Sequence, residues 1–256
     1  VAGAVFILLF LSGLFLLPGW LASQRNINVA IVGDGSSGTF TQTVYPADGG
    51  TPYDISYQGL GALLQSDDFK MLGIRGIPGL KAEFLVPGVL DSFDVVVLYG
   101  EPVCDRTART QLADFVKKGG RLVVVGDACT RLVESPDAVG WDVAGTGLSD
   151  VMPARYLGSQ NVASKLKFYD IDHPIFNGIK NTLLDGRVAL VEPAQDALVL
   201  AFINSSDVQS GNALYGILEK STKKGRVVYF AYDPLPALGG GSRNLILNVL
   251  LYLGPR

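Results

Sequence analysis

Between residues 93 and 126 the chain reads strand, helix, strand, and no other stretch constrains the fold as much. Phe93-Asp94-Val95-Val96-Val97-Leu98-Tyr99 is an almost continuous apolar run closed by Gly100. A strand covered on both faces has this pattern, whereas a half-exposed strand alternates. Asp105 then stands where a helix N-cap is expected, and Leu112, Phe115 and Val116 form an apolar stripe. Lys117 and Lys118 suit the C-terminal end of that helix, and Gly119-Gly120 end it. Arg121-Leu122-Val123-Val124-Val125-Gly126 is a second apolar run. Two buried strands joined by one helix make a parallel βαβ unit with a right-handed crossover. The chain is therefore expected to be α/β, with a doubly wound, mostly parallel sheet and helices on both faces.

The remaining pattern fits around this unit. Ile27 to Gly33 reads as a first buried strand, followed by a loop rich in Ser, Thr, Gly and Pro through Pro52. Residues 54–67 read as a helix with Ile55, Leu60, Leu63 and Leu64 on one face. Residues 69–75 and 82–86 are short apolar runs, one or both of them strands. Residues 130–164 carry Pro136, Gly140, Gly145, Gly147 and Pro153 and read as a loop insertion on the rim of the sheet. Leu166 to Tyr169 reads as a strand and Pro174 to Gly178 as a short helical turn. Four strand-like runs follow, near 187–192, 197–203, 213–219 and 226–232. The polar Lys220-Ser221-Thr222-Lys223-Lys224-Gly225 joins the last two as a hairpin. They form an antiparallel extension whose final strand returns to the main sheet. Leu245, Ile246, Val249, Leu250 and Leu253 share one face of a closing helix over 242–253.

The N-terminus has a different character. No charged side chain precedes Arg25. As a helix at about 1.5 Å per residue, the first 22 residues would reach roughly 33 Å, against a bilayer core of about 30 Å. The expected organisation is a transmembrane-type helix over 1–24 and an α/β domain over 25–256. The uncharged stretch has no basic flank and carries Pro18-Gly19, which would bend it. It resembles the processed N-terminal helix of type IV pilins and related archaeal filament proteins. It departs from many bacterial pilins in having Val5 where they have a glutamate. An ordinary single-span anchor is the other reading.

Composition excludes several function classes. Two cysteines and one histidine cannot build a zinc cluster and leave little general-base capacity. A net charge of −3 and an isoelectric point near 5.2 give no basic footprint for nucleic acid.

The motifs of residues 27–253 resemble the class I glutamine amidotransferase-like fold, a flavodoxin-like arrangement. More narrowly, they resemble the non-amidotransferase branch that includes trehalose-utilisation-type and gliding-associated domains. The resemblance is carried by the Asp94–Leu98 strand and by Leu112–Gly120 leading into Arg121–Gly126. Asp172-His173-Pro174-Ile175-Phe176-Asn177-Gly178, the Gly225–Phe230 strand and the closing helix complete it. What the resemblance implies for catalysis is negative. The amidotransferases carry a Gly-flanked Cys on a strand-to-helix elbow and a His on a later strand end, a thiolate and its base. Here Cys129, in Gly126-Asp127-Ala128-Cys129-Thr130, comes one residue too late, and Asp233-Pro234 stands at the His-Pro position. The only histidine, His173, belongs to the Asp-His-Pro turn.

Other candidate sites follow from position. Gly33-Asp34-Gly35-Ser36-Ser37-Gly38 matches G-x-G-x-x-G, but the segment after it reads as a loop and not as the helix that a pyrophosphate site needs. Asp34, Glu101, Asp127 and Asp233 each follow an expected strand. The carboxyl ends of strands are where open α/β sheets bind ligands. Four acids there could hold Ca²⁺ or Mg²⁺, or simply cap loops; no other cofactor or metal is expected. Cys104 and Cys129 follow successive strands. If those strands are neighbours, the two form a disulfide or remain free thiols on one rim. Asn204-Ser205-Ser206 is a glycosylation sequon in an expected surface loop.

The sequence thus points to a non-enzymatic structural subunit of an extracellular pilin-like filament, displayed at the cell surface. Its partners would be copies of itself through the N-terminal helix, and the membrane. The alternative is a single-span anchored binding or scaffold module whose strand-end rim holds a partner or glycan.

Overall fold

A computed structural model of the 256-residue chain describes residues 26–33, 39–44, 51, 53–169, 172–179, 183–205, 214–236 and 241–255. The chain opens with β1 (Ile27–Gly33), the hairpin β2 (Thr39–Val44) and β3 (Tyr53–Gln58), and two short helices, α1 (Leu60–Leu64) and α2 (Asp67–Met71). Then come β4 (Ile74–Leu80), β5 (Val95–Tyr99), β6 (Val103–Cys104), α3 (Arg106–Lys117) and β7 (Arg121–Val125). The short β8 (Arg131–Leu132) and β9 (Ser135–Val139) and the single turn α4 (Leu148–Val151) lead into the second half. There β10 (Ala154–Phe168), β11 (Leu183–Pro193), β12 (Leu198–Ser205), β13 (Leu214–Ser221) and β14 (Arg226–Phe230) precede the closing helix α5 (Ser242–Leu253).

Nine strands form one sheet in the order β11-β10-β12-β13-β14-β7-β5-β1-β4. The run β14-β7-β5-β1-β4 is parallel. Its centre is the apolar runs legible in the sequence: Val29 to Val32, Val95 to Leu98 and Leu122 to Val125 are all buried. Such strands need cover on both faces. Leu60 of α1 and Ile246, Val249 and Leu250 of α5 meet Val97, Val123, Val125 and Phe230 on one face. The crossover through α3 runs in the opposite direction along the sheet from that through α1, so a right-handed connection places α3 on the other face. The Asp105 carboxylate caps α3, accepting the Ala108 N–H at 2.6 Å. A side chain at Gly225, in the β13–β14 turn, would run into the carbonyls of Val116 and Gly120, so only glycine lets that turn close against the end of α3.

The remaining strands pair antiparallel, from β14 through β13, β12 and β10 to β11. Register shifts interrupt β10 at Tyr156/Gly158 and β12 at Val199/Ala201, and such bulges bend a sheet. Here the bend rolls β11 over the end of β14. Val188 bridges Tyr232, and the Ala189 N–H donates to the Ala231 carbonyl at 2.6 Å. The β10–β11 pair is thereby carried above the carboxyl end of the parallel sheet.

Several expectations are corrected. Residues 1–24, with the bend at Pro18-Gly19, lie outside the described residues. Among the described residues no helix is long and apolar enough to cross a membrane, so the transmembrane-type helix of the expected fold class is not carried forward. α3 and α5, at 12 residues each, are both too short. The expected helix over 54–67 is strand β3 followed by the five-residue α1. The expected loop over 130–164 contains β8, β9 and most of the 15-residue β10. Within β10, Tyr156, Val162 and Leu166 are buried while Arg155, Lys165 and Lys167 are exposed, so it is a half-covered strand and not an apolar run.

Candidate functional site

The carboxyl ends of β5, β7 and β14 and the overhanging β10–β11 pair enclose a cleft of about 290 Å³. Tyr99 and Gly100 come from the end of β5, Gly126 and Asp127 from the end of β7, and Ala231 and Asp233 from beyond β14. Ser159 on β10 and Arg187 and Ala189 on β11 close it from above.

The segment from Gly126 to Thr130 is the local device that sets Asp127. Gly126 has φ +62° and Cys129 φ +52°, the latter the only positive φ at a non-glycine among the described residues. Few L residues hold that conformation unless their surroundings fix it, and here they do. The Cys129 N–H donates to the Glu101 carbonyl at 2.7 Å. The Thr130 hydroxyl donates to the Asp127 carbonyl at 2.7 Å, and the Trp141 indole N–H to the Ala128 carbonyl at 2.9 Å. The Tyr229 hydroxyl donates to the Gly126 carbonyl at 3.0 Å, and burial pushes that phenol well above its ordinary range. Cys129 is also joined to Cys104 in a buried disulfide, with Cα atoms 5.0 Å apart.

Two acids line the cleft with different partners. Asp127 Oδ2 lies 2.9 Å from an Arg187 terminal nitrogen, and Arg187 Nε donates to Ser159 Oγ at 2.8 Å. Asp233 Oδ2 accepts the Tyr99 O–H at 2.7 Å, and Oδ1 accepts the Leu235 N–H at 2.9 Å. Burial pushes the Asp233 carboxyl up from its ordinary value, while the hydrogen bonds from Leu235 and Tyr99 oppose that rise. An acid whose folded pKa is raised favours folding fully below its unfolded pKa, about 3.9. That contribution is lost as pH rises through the folded value. Asp233→Asn is therefore expected to raise the urea midpoint at pH 7 relative to the unaltered protein and to leave it unchanged near pH 3. A lower midpoint at pH 7 would mean that the ionised carboxylate is stabilising there.

Of the four acids expected at strand ends, the cleft brings together Asp127 and Asp233. Glu101 instead lines a separate groove with Gly33, Lys81, Glu83 and Asp105, at the β1–β5 position where the strand order reverses. Asp34 lies outside the described residues. Among the described residues no group of three His, Cys, Asp or Glu side chains could hold a metal ion. Residues 34–38 of the glycine motif lie outside the described residues, and the next described element after Gly33 is strand β2, not a helix. Asn204 is exposed but sits near the end of β12, paired with Lys165, and not in a loop. His173 faces Glu219, with Nε2 3.7 Å from the carboxylate, and its ring packs on Tyr252. The residues that sequence reasoning missed are Ser159 and Arg187. Ser159 lay in the stretch read as loop. Arg187 begins an expected strand, and only the roll of that strand shows its role.

No protein-family model matches the sequence, and no curated protein matches it significantly. Solved structures do. A cytoplasmic protein of Salmonella typhimurium is 16% identical with a TM-score of 0.61, covering 89% of this chain and 99% of its own. A ThuA-like protein of Bacteroides uniformis, titled putative, is 10% identical with a TM-score of 0.58, covering 90% of this chain and 91% of its own. A GMP synthase component of Thermoplasma acidophilum, also titled putative, is 10% identical with a TM-score of 0.50, covering 90% and 94%. Nothing among them supports a pilin-like reading. The expected cell-surface, membrane-derived setting is not carried forward: a similar structure is named a cytoplasmic protein, and among the described residues no helix is long and apolar enough to cross a membrane. At these identities the likeness concerns architecture: the chain has the glutamine amidotransferase-like fold.

Proposed function

We propose that this chain is a non-catalytic binding module built on an amidotransferase-like scaffold, with the strand-end cleft as its ligand site. One observation carries the reading. The Cys129 sulfur, the only thiol near the elbow, is tied to Cys104 and buried, and Asp233 occupies the position where the amidotransferases place their histidine. A sulfur held in a disulfide and a carboxylate in the histidine's place supply neither the thiolate that attacks a glutamine amide nor its imidazole base. The cleft keeps what recognition needs, namely a shaped space, a rigid elbow and polar groups set by fixed partners.

The test is twofold. The purified protein is expected to release no ammonia from glutamine, under oxidising or reducing conditions, and Cys129→Ala should lower stability without changing that result. Glutaminase activity that Cys129→Ala abolishes would overturn the non-catalytic assignment. Widening the cleft with Arg187→Ala and Ser159→Ala together should change small-molecule binding while leaving the circular dichroism spectrum intact.

A further inference from the structure

The charges that line the strand-end cleft are not evenly matched. Arg187 is held by Asp127 and Ser159, so that pair is internally neutral. Among the described residues Asp233 accepts hydrogen bonds only from neutral donors, the Tyr99 hydroxyl and the Leu235 amide. No Lys, Arg or His among the described residues forms an ion pair with it. A half-buried carboxylate without a counter-charge loses hydration that two hydrogen bonds from neutral donors replace only in part. Burial indeed pushes its acidity down, as the direction of its pKa records. It lies on the wall of an open cleft, where a cation from solution can reach it.

The surroundings decide which cation. Ca²⁺ takes six to eight oxygen ligands, and Mg²⁺ a near-octahedral set. The cleft offers two carboxylates, one of them already engaged by Arg187. An ammonium needs far less: one carboxylate, a few acceptors and, where present, an aromatic ring. Tyr99 lines the cleft and is bonded to the same carboxylate, and Val125, Ala189 and Ala231 give apolar wall beside it.

We infer that the cleft takes a small organic cation, an alkylammonium whose nitrogen sits on Asp233 beside Tyr99 and whose carbon chain lies against Val125, Ala189 and Ala231. The inference rests on reading the cleft as a binding site. It differs from a glycan site in what carries affinity: one charge and an apolar wall, and not a ring of hydroxyls.

Titration calorimetry of the full chain at pH 7.5 tests it with three probes: n-butylamine, 1-butanol and methyl glucoside. Butylamine is expected to bind, and butanol at least about tenfold more weakly, since a hydrogen bond to a charged group is worth about 1.5–3 kcal/mol. Asp233→Asn should weaken butylamine by the same factor, while Tyr99→Phe, which keeps the ring, should change it only a few-fold. If Asp233→Asn does not fold, the unaltered protein still decides the matter. Its butylamine affinity should fall as pH drops and Asp233 takes up a proton, although the amine stays charged throughout. Equal binding of butanol and butylamine, or undiminished binding by Asp233→Asn, overturns the inference. Methyl glucoside binding without amine binding overturns it too but leaves the cleft a binding site. If none of the three binds, the binding-module reading falls with it.

Discussion

Trp141→Ala is expected to cost about 3–5 kcal/mol of stability, the range for removing a large aromatic from a core. Trp141 is among the largest fully buried side chains and packs edge-on against Tyr156 at 5.9 Å and Tyr229 at 5.3 Å. Its indole N–H also holds the Ala128 carbonyl. The substitution therefore opens a cavity and leaves a backbone acceptor of the Gly126–Thr130 turn unpaired. Trp141→Phe separates the two effects. It keeps most of the packing and should cost about 1–3 kcal/mol, the penalty of an unsatisfied buried polar group. Urea unfolding followed by circular dichroism gives both numbers. A Trp141→Ala loss under about 1 kcal/mol would fall below even that penalty and mean that the turn does not depend on the indole.

Reducing the Cys104–Cys129 bond is expected to cost about 3.5 kcal/mol on the chain-entropy account of a loop of this length. The bond links residues 25 apart and ties β6 to the turn after β7. Urea midpoints with and without reductant, and for the double Cys104→Ala, Cys129→Ala variant, should agree on the loss. The effect should be local as well as global, because Cys129 holds a positive φ that a freed residue would relax. Asp127 lies two positions before it, so the Asp127–Arg187 pair should loosen in the reduced form. Equal midpoints in both conditions would show that the covalent link adds nothing to the surrounding contacts.

The parallel half of the fold was legible because its strands are buried on both faces and carry continuous Val and Leu. Asp105 marked the start of α3 by side-chain chemistry and Gly119 its end by a positive φ, both local properties. Of β10 only the end, Leu166 to Phe168, was legible. The strand is 15 residues long and half covered, and around Gly158 and Ser159 both its apolar period and the register of its ladder are interrupted. β3 was read as a helix because Leu60, Leu63 and Leu64 extended an apparent helical stripe back through Ile55. The alternation of Tyr53, Ile55 and Tyr57 was the strand signal beside it. At the site, Asp127 and Asp233 could be found from their position after strands. Their different partners could not, because Arg187 reaches Asp127 across 60 residues of sequence and only after β11 has rolled over β14.

That roll also governs how the sheet presents itself to other proteins. The outermost strands of an open sheet expose unpaired N–H and C=O groups, a template for stray strands and for aggregation. β11 is last in the strand order, yet Val188 and Ala189 use part of its outer side to meet Tyr232 and Ala231. At the opposite margin, β4 carries Pro78, which has no N–H to offer, and an exposed Arg75. One margin is blunted by curvature and the other by sequence. Straightening the bulges of the antiparallel half would therefore do more than widen the cleft: it would expose a sticky edge.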